Sequence, residues 1–84
     1  MVITGGRVAV AHGQPLTPRE VLILDGMARG HTKGEIGDRL GLKESTIRSY
    51  TRRINVKLGA KNARHAIALG FVHGYLKTGK RVTS

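Results

Sequence analysis

The sequence predicts a small all-α protein of four helices built on a helix-turn-helix, and three observations support that prediction. Threonine capping boxes at Thr17 and Thr32 mark the starts of two helices. A glycine-bearing turn at 41–43 separates the second helix from a third. That third helix, at about 44–58, is apolar on one side and cationic on the other.

Residues 1–15 precede the helices and are rich in glycine and β-branched residues. Two short β-prone runs, at 2–4 and 7–10, flank the pair Gly5-Gly6, which is typical of two strands around a turn. A two-stranded ribbon is only marginally stable unless it packs on something. The sequence therefore leaves two alternatives open, a short β-hairpin and an extended N-terminal arm.

The first helix is predicted at about 18–29. Thr17 is a good N-cap, Pro18 suits the first helical position, and Glu20 completes the capping box. Gly30 is expected to end the helix as its C-cap. The apolar positions at helical spacing are Val21, Leu24, Met27 and Ala28.

The second helix is predicted at about 33–40, because the spacing from Thr32 to Glu35 repeats the capping box. Gly34 and Gly37 lie inside this helix and each costs roughly 1 kcal/mol relative to Ala. Packing must offset that cost, and Gly37 is expected to allow close approach of a neighbouring helix. The buried pair of this helix is expected at Ile36 and Leu40.

The third helix has two distinct faces on a wheel of about 100° per residue. One face is apolar and is expected to pack in the core; the opposite face carries hydrogen-bonding and cationic side chains. No acid follows Glu44 in this helix, so the charge repulsion is uncompensated until a polyanion binds. The core face comprises Ile47, Tyr50, Thr51, Ile54 and Leu58, and the polar face Ser45, Arg48, Ser49, Arg52, Asn55 and Val56.

The fourth helix is predicted at about 62–76 and is apolar on more than one face. A stripe of small residues, Ala63, Ala66, Gly70 and Gly74, runs along it, and Leu69, Val72 and Leu76 lie on another side. Such a helix is either wholly buried or shared with a partner. Because complete burial is hard in 84 residues, we expect a self-association surface, followed by a polar, basic tail at 77–84.

Composition excludes several classes of protein. The absence of cysteine rules out a disulfide scaffold and a thiolate metal site. No apolar run reaches the ~20 residues that span a bilayer, and the first six residues lack the features of a secretory signal. We therefore expect a soluble cytoplasmic protein with no membrane partner.

The charge is strongly asymmetric. The chain has 15 Lys and Arg against five Asp and Glu, a formal net charge of +10. Residues 43–84 hold ten of the bases and one acid, Glu44, for a net +9. A field of this sign suits a polyanion such as nucleic acid.

The order and spacing of these residues resemble one known family. Leu16-Thr17-Pro18-Arg19-Glu20, Ala28-Arg29-Gly30, Glu35-Ile36, Leu40, Thr46-Ile47-Arg48, Ile54, Lys57-Leu58-Gly59, Asn62, Ala66-Ile67 and Gly74-Tyr75-Leu76 are similar to the LuxR-type (GerE-type) helix-turn-helix domain. The resemblance covers residues 16–76 without a gap. It implies four helices, of which the third enters the major groove of DNA and the fourth forms a homodimer.

Site residues follow from that resemblance and from the helical wheel. The positions that match base contacts are Arg48, Ser49 and Arg52. Ser45 and Thr46 match phosphate contacts, and Lys33, Lys43, Arg53, Lys57 and Lys61 lie where they can contact phosphate as well. The dimer surface implied for the fourth helix comprises Ala66, Leu69, Gly70, Val72 and His73.

This sequence departs from the family pattern at the start of the third helix, where Lys43 replaces a Ser or Thr cap, and at Gly34, where Lys33 is one place early. Members usually carry a receiver or ligand-binding domain ahead of this module. Residues 1–15 are too short for one, so the chain resembles the small stand-alone members. A partner such as RNA polymerase or a regulatory protein is compatible with that class.

Other functions compete with this interpretation. Region 4 of a sigma factor has a similar three-helix core and reading helix, and a basic adaptor that docks on an acidic protein without reading sequence is a second alternative. RNA binding is a third. We expect no enzyme, cofactor or metal site, because the four histidines, His12, His31, His65 and His73, share no metal-ligand spacing and no serine has an evident His/Asp partner.

Overall fold

The structure, a computed structural model, describes residues 11–77, and within them it has four α-helices and no strand. The helices are α1 (Pro18–Ala28), α2 (Lys33–Leu40), α3 (Glu44–Leu58) and α4 (Ala63–Val72). The predicted four-helix, all-α fold is confirmed. Most of the predicted N-terminal ribbon or arm, and all but the first residue of the tail, lie outside the described residues. None of the four helices is long and apolar enough to cross a bilayer.

Both predicted capping boxes are present. The backbone N–H of Glu20 donates to Thr17 Oγ1 at 3.2 Å, and that of Thr17 donates to Glu20 Oε1 at 2.9 Å. The same pair of bonds joins Thr32 and Glu35, at 3.1 and 2.8 Å. The bond from the Thr32 backbone N–H lowers the pKa of the Glu35 carboxyl below its ordinary value.

The core lies where α3 packs against the other three helices. Ile23 of α1 has no exposed surface. Ile47 and Ile54 of α3 have none either, which confirms the predicted core face of α3. The sequence did not single out Ile23, because four consecutive apolar residues at 21–24 point in every direction around α1. Leu22 of that run is 56% exposed, and Leu40, predicted as buried, is only half-buried. The buried apolar residues are Leu16, Ile23, Leu24, Ile36, Ile47, Ile54, Leu58, Ala66 and Leu76.

Close packing at Gly37 fixes the turn between α2 and α3. A Cβ atom at Gly37 would lie 2.5 Å from the carbonyl oxygen of Leu42. The backbone N–H of Leu42 donates to the Gly37 carbonyl at 2.8 Å. The predicted close approach therefore exists, but its partner is mainly the backbone of the turn. Ile47 Cγ1 of α3 would lie 3.6 Å from the same Cβ, an ordinary contact. This glycine allows the turn to fold tightly under α2 and brings α3 into position.

The predicted C-terminal end of the fourth helix, residue 76, is wrong, because α4 ends at Val72. Gly74 adopts φ +82°, a left-handed conformation that L side chains rarely adopt. The N–H groups of Tyr75 and Leu76 both donate to the Gly70 carbonyl, at 2.8 and 3.1 Å. The chain folds back there, and Leu76 becomes part of the core instead of an outer helical face.

Candidate nucleic-acid interface

The candidate interface is the outer face of α3, which is held from behind by its own apolar side. α1, α2 and α4 all contact this helix, and the side chains of Ile47 and Ile54 are completely buried. A helix anchored in this way presents its remaining side chains in fixed directions. The exposed side is therefore rigidly connected to the core of the domain.

The three predicted base-contact residues are exposed together on this face. Arg48 and Arg52 lie one turn apart, and Ser49 lies beside them. The Ser49 hydroxyl donates to the Ser45 carbonyl at 3.3 Å, so its hydrogen atom is engaged with the helix backbone. Asn55, assigned to the same polar face, is half-buried instead, and its Oδ1 atom has no hydrogen-bond partner among the described residues.

An ion pair at the edge of the face was not anticipated from the sequence. Arg48 Nη2 donates to Glu44 Oε2 at 2.8 Å, and the two side chains are 64% and 51% exposed. The spacing of four residues, with the acid first, is the favourable arrangement for such a pair on a helix. The spacing of Glu44 and Arg48 is the feature of the sequence that indicates this pair.

Four of the predicted phosphate-contact residues belong to α3 or to its N-cap: Lys43, Ser45, Thr46 and Arg53. Lys43, the N-cap residue of α3, is exposed and makes no side-chain capping bond. Arg53 lies with its guanidinium carbon 5.9 Å from the centre of the Tyr50 ring. Thr46, Ser49, Tyr50 and Arg53 line a shallow groove of about 150 Å³. Of the remaining candidates, Ser45 and Lys61 are exposed, whereas Thr46 and Lys33 are half-buried.

Lys57 does not belong with these phosphate-contact candidates. Its Nζ atom lies 2.8 Å from Glu20 Oε1, and the two side chains are only 10% and 1% exposed. The predicted phosphate contact is therefore wrong, because the ammonium group is directed into the protein toward α1. On the helical wheel Lys57 borders the core face, but the sequence alone does not indicate that the Glu20 carboxylate of α1 packs against it.

The predicted dimer surface is divided between the core and the exterior. Ala66 has no exposed surface, and Gly70 is buried. A Cβ atom at Gly70 would lie 2.8 Å from Leu24 Cδ2 and 2.9 Å from Leu76 Cδ1. Ala66 and Gly70 pack within their own chain, so their assignment to a partner interface is wrong. Leu69 is half-buried against the core, whereas Val72 is 75% exposed and His73 is exposed. Phe71, which is 38% exposed, is not among the residues of the predicted dimer surface.

The N-terminal segment contacts the far end of α3. The Gly13 N–H donates to the Lys57 carbonyl at 2.9 Å, and the His12 ring lies against Gly59. A Cβ atom at Gly59 would lie 2.7 Å from His12 Nε2. Across residues 11–77, no three His, Cys, Asp or Glu side chains are grouped so as to hold a metal ion.

Comparison with known proteins identifies relatives of this arrangement. The family model for GerE, described as bacterial regulatory proteins of the luxR family, matches residues 14–69. The transcriptional regulatory protein DesR of Bacillus subtilis is 36% identical over 67 residues, which are 80% of this chain and 34% of DesR. The quorum sensing-dependent transcriptional regulator VjbR of Brucella ovis is 36% identical over 61 residues, 73% of this chain and 24% of VjbR. The chain thus spans about a third or less of the length of these relatives.

Two solved structures have the same helical arrangement. The transcription factor GerE superposes with a TM-score of 0.72 at 29% identity, covering 74% of this chain and 92% of GerE. The Vibrio cholera VqmA–ligand–DNA complex superposes with a TM-score of 0.68 at 25% identity, covering 86% of this chain and 32% of VqmA.

Proposed function

The chain belongs to the luxR family of bacterial regulatory proteins, and we propose that it binds duplex DNA through the exposed face of α3 and thereby regulates transcription. The observation that carries the proposal is the division of α3 into a fully buried side, with Ile47 and Ile54, and an exposed side with Arg48 and Arg52. VqmA, a relative of similar fold, has been solved in complex with DNA, which supports the same partner here. Residues 16–76 constitute the DNA-binding domain in this proposal.

Base recognition is the role of the two arginines. The guanidinium group is a planar fork of donors that pairs bidentately with O6 and N7 of guanine in the major groove. Arg48 and Arg52, one helical turn apart, can reach neighbouring base pairs when α3 lies in the groove. Each good pair of this kind discriminates by about 1–3 kcal/mol. Ser49 adds a hydroxyl that hydrogen-bonds a base edge with little selectivity.

Phosphate contacts position the domain without specifying sequence. Lys43 and Ser45 lie at the start of α3, and Arg53 lies on its flank. The net charge of +10 supplies the long-range attraction to the DNA backbone. The full set that we assign to phosphate is Lys33, Lys43, Ser45, Thr46, Arg53 and Lys61.

Homodimerisation through α4 is part of the proposal. Val72 and Phe71 expose apolar surface at the end of α4, and His73 follows them. A two-fold contact through this end would bring the same residues of both copies together. It would also present two α3 helices to half-sites about one DNA turn, roughly 34 Å, apart.

Regulation by a further protein, such as RNA polymerase or a partner that controls activity, is also proposed. The segment that this chain matches is about a third or less of the length of DesR and VjbR, both of which are named as transcriptional regulators. The protein would act in the cytoplasm, at the nucleoid, where its DNA target lies.

Selection of bound duplexes from a random pool, followed by fluorescence anisotropy on the selected site, tests the proposed function. Arg48→Ala should weaken binding to the selected site by about 1–3 kcal/mol and relax one position of the preference. Lys61→Ala, the matched control, removes an exposed cation away from the reading face and should weaken binding to all duplexes alike.

Salt dependence separates the alternatives. Binding to duplex DNA should weaken steeply with salt, because each neutralised phosphate contributes about −0.9 to the logarithmic slope. Affinity that is independent of salt would contradict nucleic-acid binding altogether. A preference for an RNA duplex, or steep salt dependence without any selected site, would contradict sequence-specific recognition of DNA.

A further inference from the structure

Glu44 is the only acid in α3, and it lies next to the residues proposed to hold phosphate. It is the first residue of the helix, flanked by Lys43 and Ser45. A carboxylate in that position repels the DNA backbone and therefore lowers affinity for every duplex. Its presence calls for a compensating role in DNA recognition.

The ion pair with Arg48 supplies such a role. Glu44 Oε2 accepts a hydrogen bond from Arg48 Nη2 at 2.8 Å, although both side chains are more than half exposed. An exposed pair of this kind contributes little to folding. What it does change is the freedom of the arginine, since the bond to Glu44 holds the guanidinium at Nη2 while its other N–H donors make no hydrogen bond among the described residues.

The other oxygen of the carboxylate lies near α2. A Cβ atom at Gly34 would lie 3.6 Å from Glu44 Oε1, so this oxygen lies alongside the first turn of α2. The carboxylate is therefore bounded by α2 on one side and by Arg48 on the other. A Cβ atom at residue 34 would meet the Oε1 oxygen at an ordinary contact distance.

We propose that Glu44 is a positioning residue that directs Arg48 toward a base edge and keeps it from pairing with phosphate. This inference rests on the proposed reading of DNA by α3. Without Glu44, the long arginine side chain is free to turn to the nearest phosphate, which is an alternative partner of opposite charge. Glu44 thus lowers the affinity for every duplex and raises the discrimination between bases. Its removal should therefore raise general affinity and lower discrimination.

The test compares Glu44→Ala and Glu44→Gln with the parent on two duplexes. One is the selected site, and the other differs only at the base pair whose preference Arg48→Ala relaxes. For Glu44→Ala, binding to the second duplex should tighten about threefold, and discrimination between the duplexes should fall about tenfold. The slope of log affinity against log salt should steepen by about 0.9, the value of one added phosphate contact. Glu44→Gln retains a hydrogen-bond acceptor and should keep more of the discrimination.

Asp38→Asn is the control for charge alone. Asp38 is an exposed acid of α2, and its removal changes the net charge by the same amount. It should leave discrimination unchanged. If Asp38→Asn and Glu44→Ala had the same effects, or if Glu44→Ala kept the discrimination of the parent, the positioning role would be overturned.

The double variant Arg48→Ala/Glu44→Ala identifies the route of the effect. If Glu44 acts through Arg48, the double variant should discriminate as Arg48→Ala does, with no further loss. An additive loss would overturn positioning and assign Glu44 a base contact of its own. If the parent itself showed no discrimination, the proposed function would have failed; loss in Arg48→Ala but not in Glu44→Ala would refute only the role of Glu44.

Discussion

Lys57 of α3 and Glu20 of α1 form a buried ion pair, with Nζ and Oε1 2.8 Å apart and side chains 10% and 1% exposed. The same Glu20 oxygen accepts the backbone N–H of Thr17 in the capping box. The N-terminus of α1 is thereby connected to the C-terminal half of α3. Lys57 is accordingly unsuitable as a probe of DNA binding, because its substitution acts first on folding.

Breaking this pair should destabilise the domain strongly. Lys57→Met leaves the Glu20 carboxylate buried without its partner, and we expect the free energy of unfolding to fall by about 3–5 kcal/mol. Urea denaturation followed by circular dichroism measures the change. Lys57→Met/Glu20→Gln should recover much of the loss, because Gln removes the charge and can still complete a capping box. A single variant as stable as the parent would contradict the buried pair.

Gly34 and Gly37, both in α2, should respond in opposite ways to substitution by alanine. At Gly37 a Cβ atom would lie 2.5 Å from the Leu42 carbonyl oxygen, and we expect overpacking to reduce stability by about 1–3 kcal/mol. At Gly34 the nearest side-chain atom would be 3.6 Å away, so Gly34→Ala should gain up to about 1 kcal/mol of helix propensity. Thermal unfolding of both variants gives the comparison. Equal effects would contradict the tight turn.

Val72 provides the test of dimerisation. It is 75% exposed at the end of α4, so Val72→Lys should fold normally, abolish the proposed dimer and weaken binding to a paired half-site. Analytical ultracentrifugation measures the association. Leu22→Lys, at a residue of α1 that is 56% exposed, is the control and should stay dimeric. A parent that sediments as a monomer at high concentration and on DNA would refute the dimer.

Acid should weaken the start of α2 through Glu35. The pKa of this carboxyl is lowered in the folded protein by the Thr32 backbone N–H, so its contribution to stability is present above its ordinary pKa of 4.5. That contribution is lost as the pH falls through the lower, folded value. Glu35→Gln keeps the capping bond without the titrating group, so its unfolding free energy should depend less on pH below about 4.5. Parallel pH profiles for parent and variant would contradict this assignment.

Local sequence signals predicted the helices well but not the contacts that join them. The capping boxes at Thr17 and Thr32 and the two faces of α3 depend on residues close in the chain, and the bounds of α2 and α3 were predicted correctly. The partner of Lys57 is 37 residues away, and no spacing rule connects them. Only the packed structure shows that pair.

The fourth helix illustrates a different difficulty. Its small and apolar residues predicted a longer helix because composition does not reveal a reversal such as that at Gly74. Once the chain folds back, Leu76 covers Gly70, and Ala66 packs in the core. The small-residue stripe thus accommodates the protein's own chain. The large apolar side chains that α4 exposes are Phe71 and Val72 at its end, and the exposed His73 follows them.

Replacement of single guanines in the selected site by 7-deazaguanine tests the central claim most directly. This base lacks the N7 acceptor in the major groove, so the parent should lose about tenfold in affinity at the guanine that Arg48 contacts, and Arg48→Ala should lose nothing further. Inosine, which lacks only the minor-groove amino group, should be tolerated at the same position. Binding that ignores 7-deazaguanine everywhere in the site but weakens with inosine would contradict recognition of the major groove by α3.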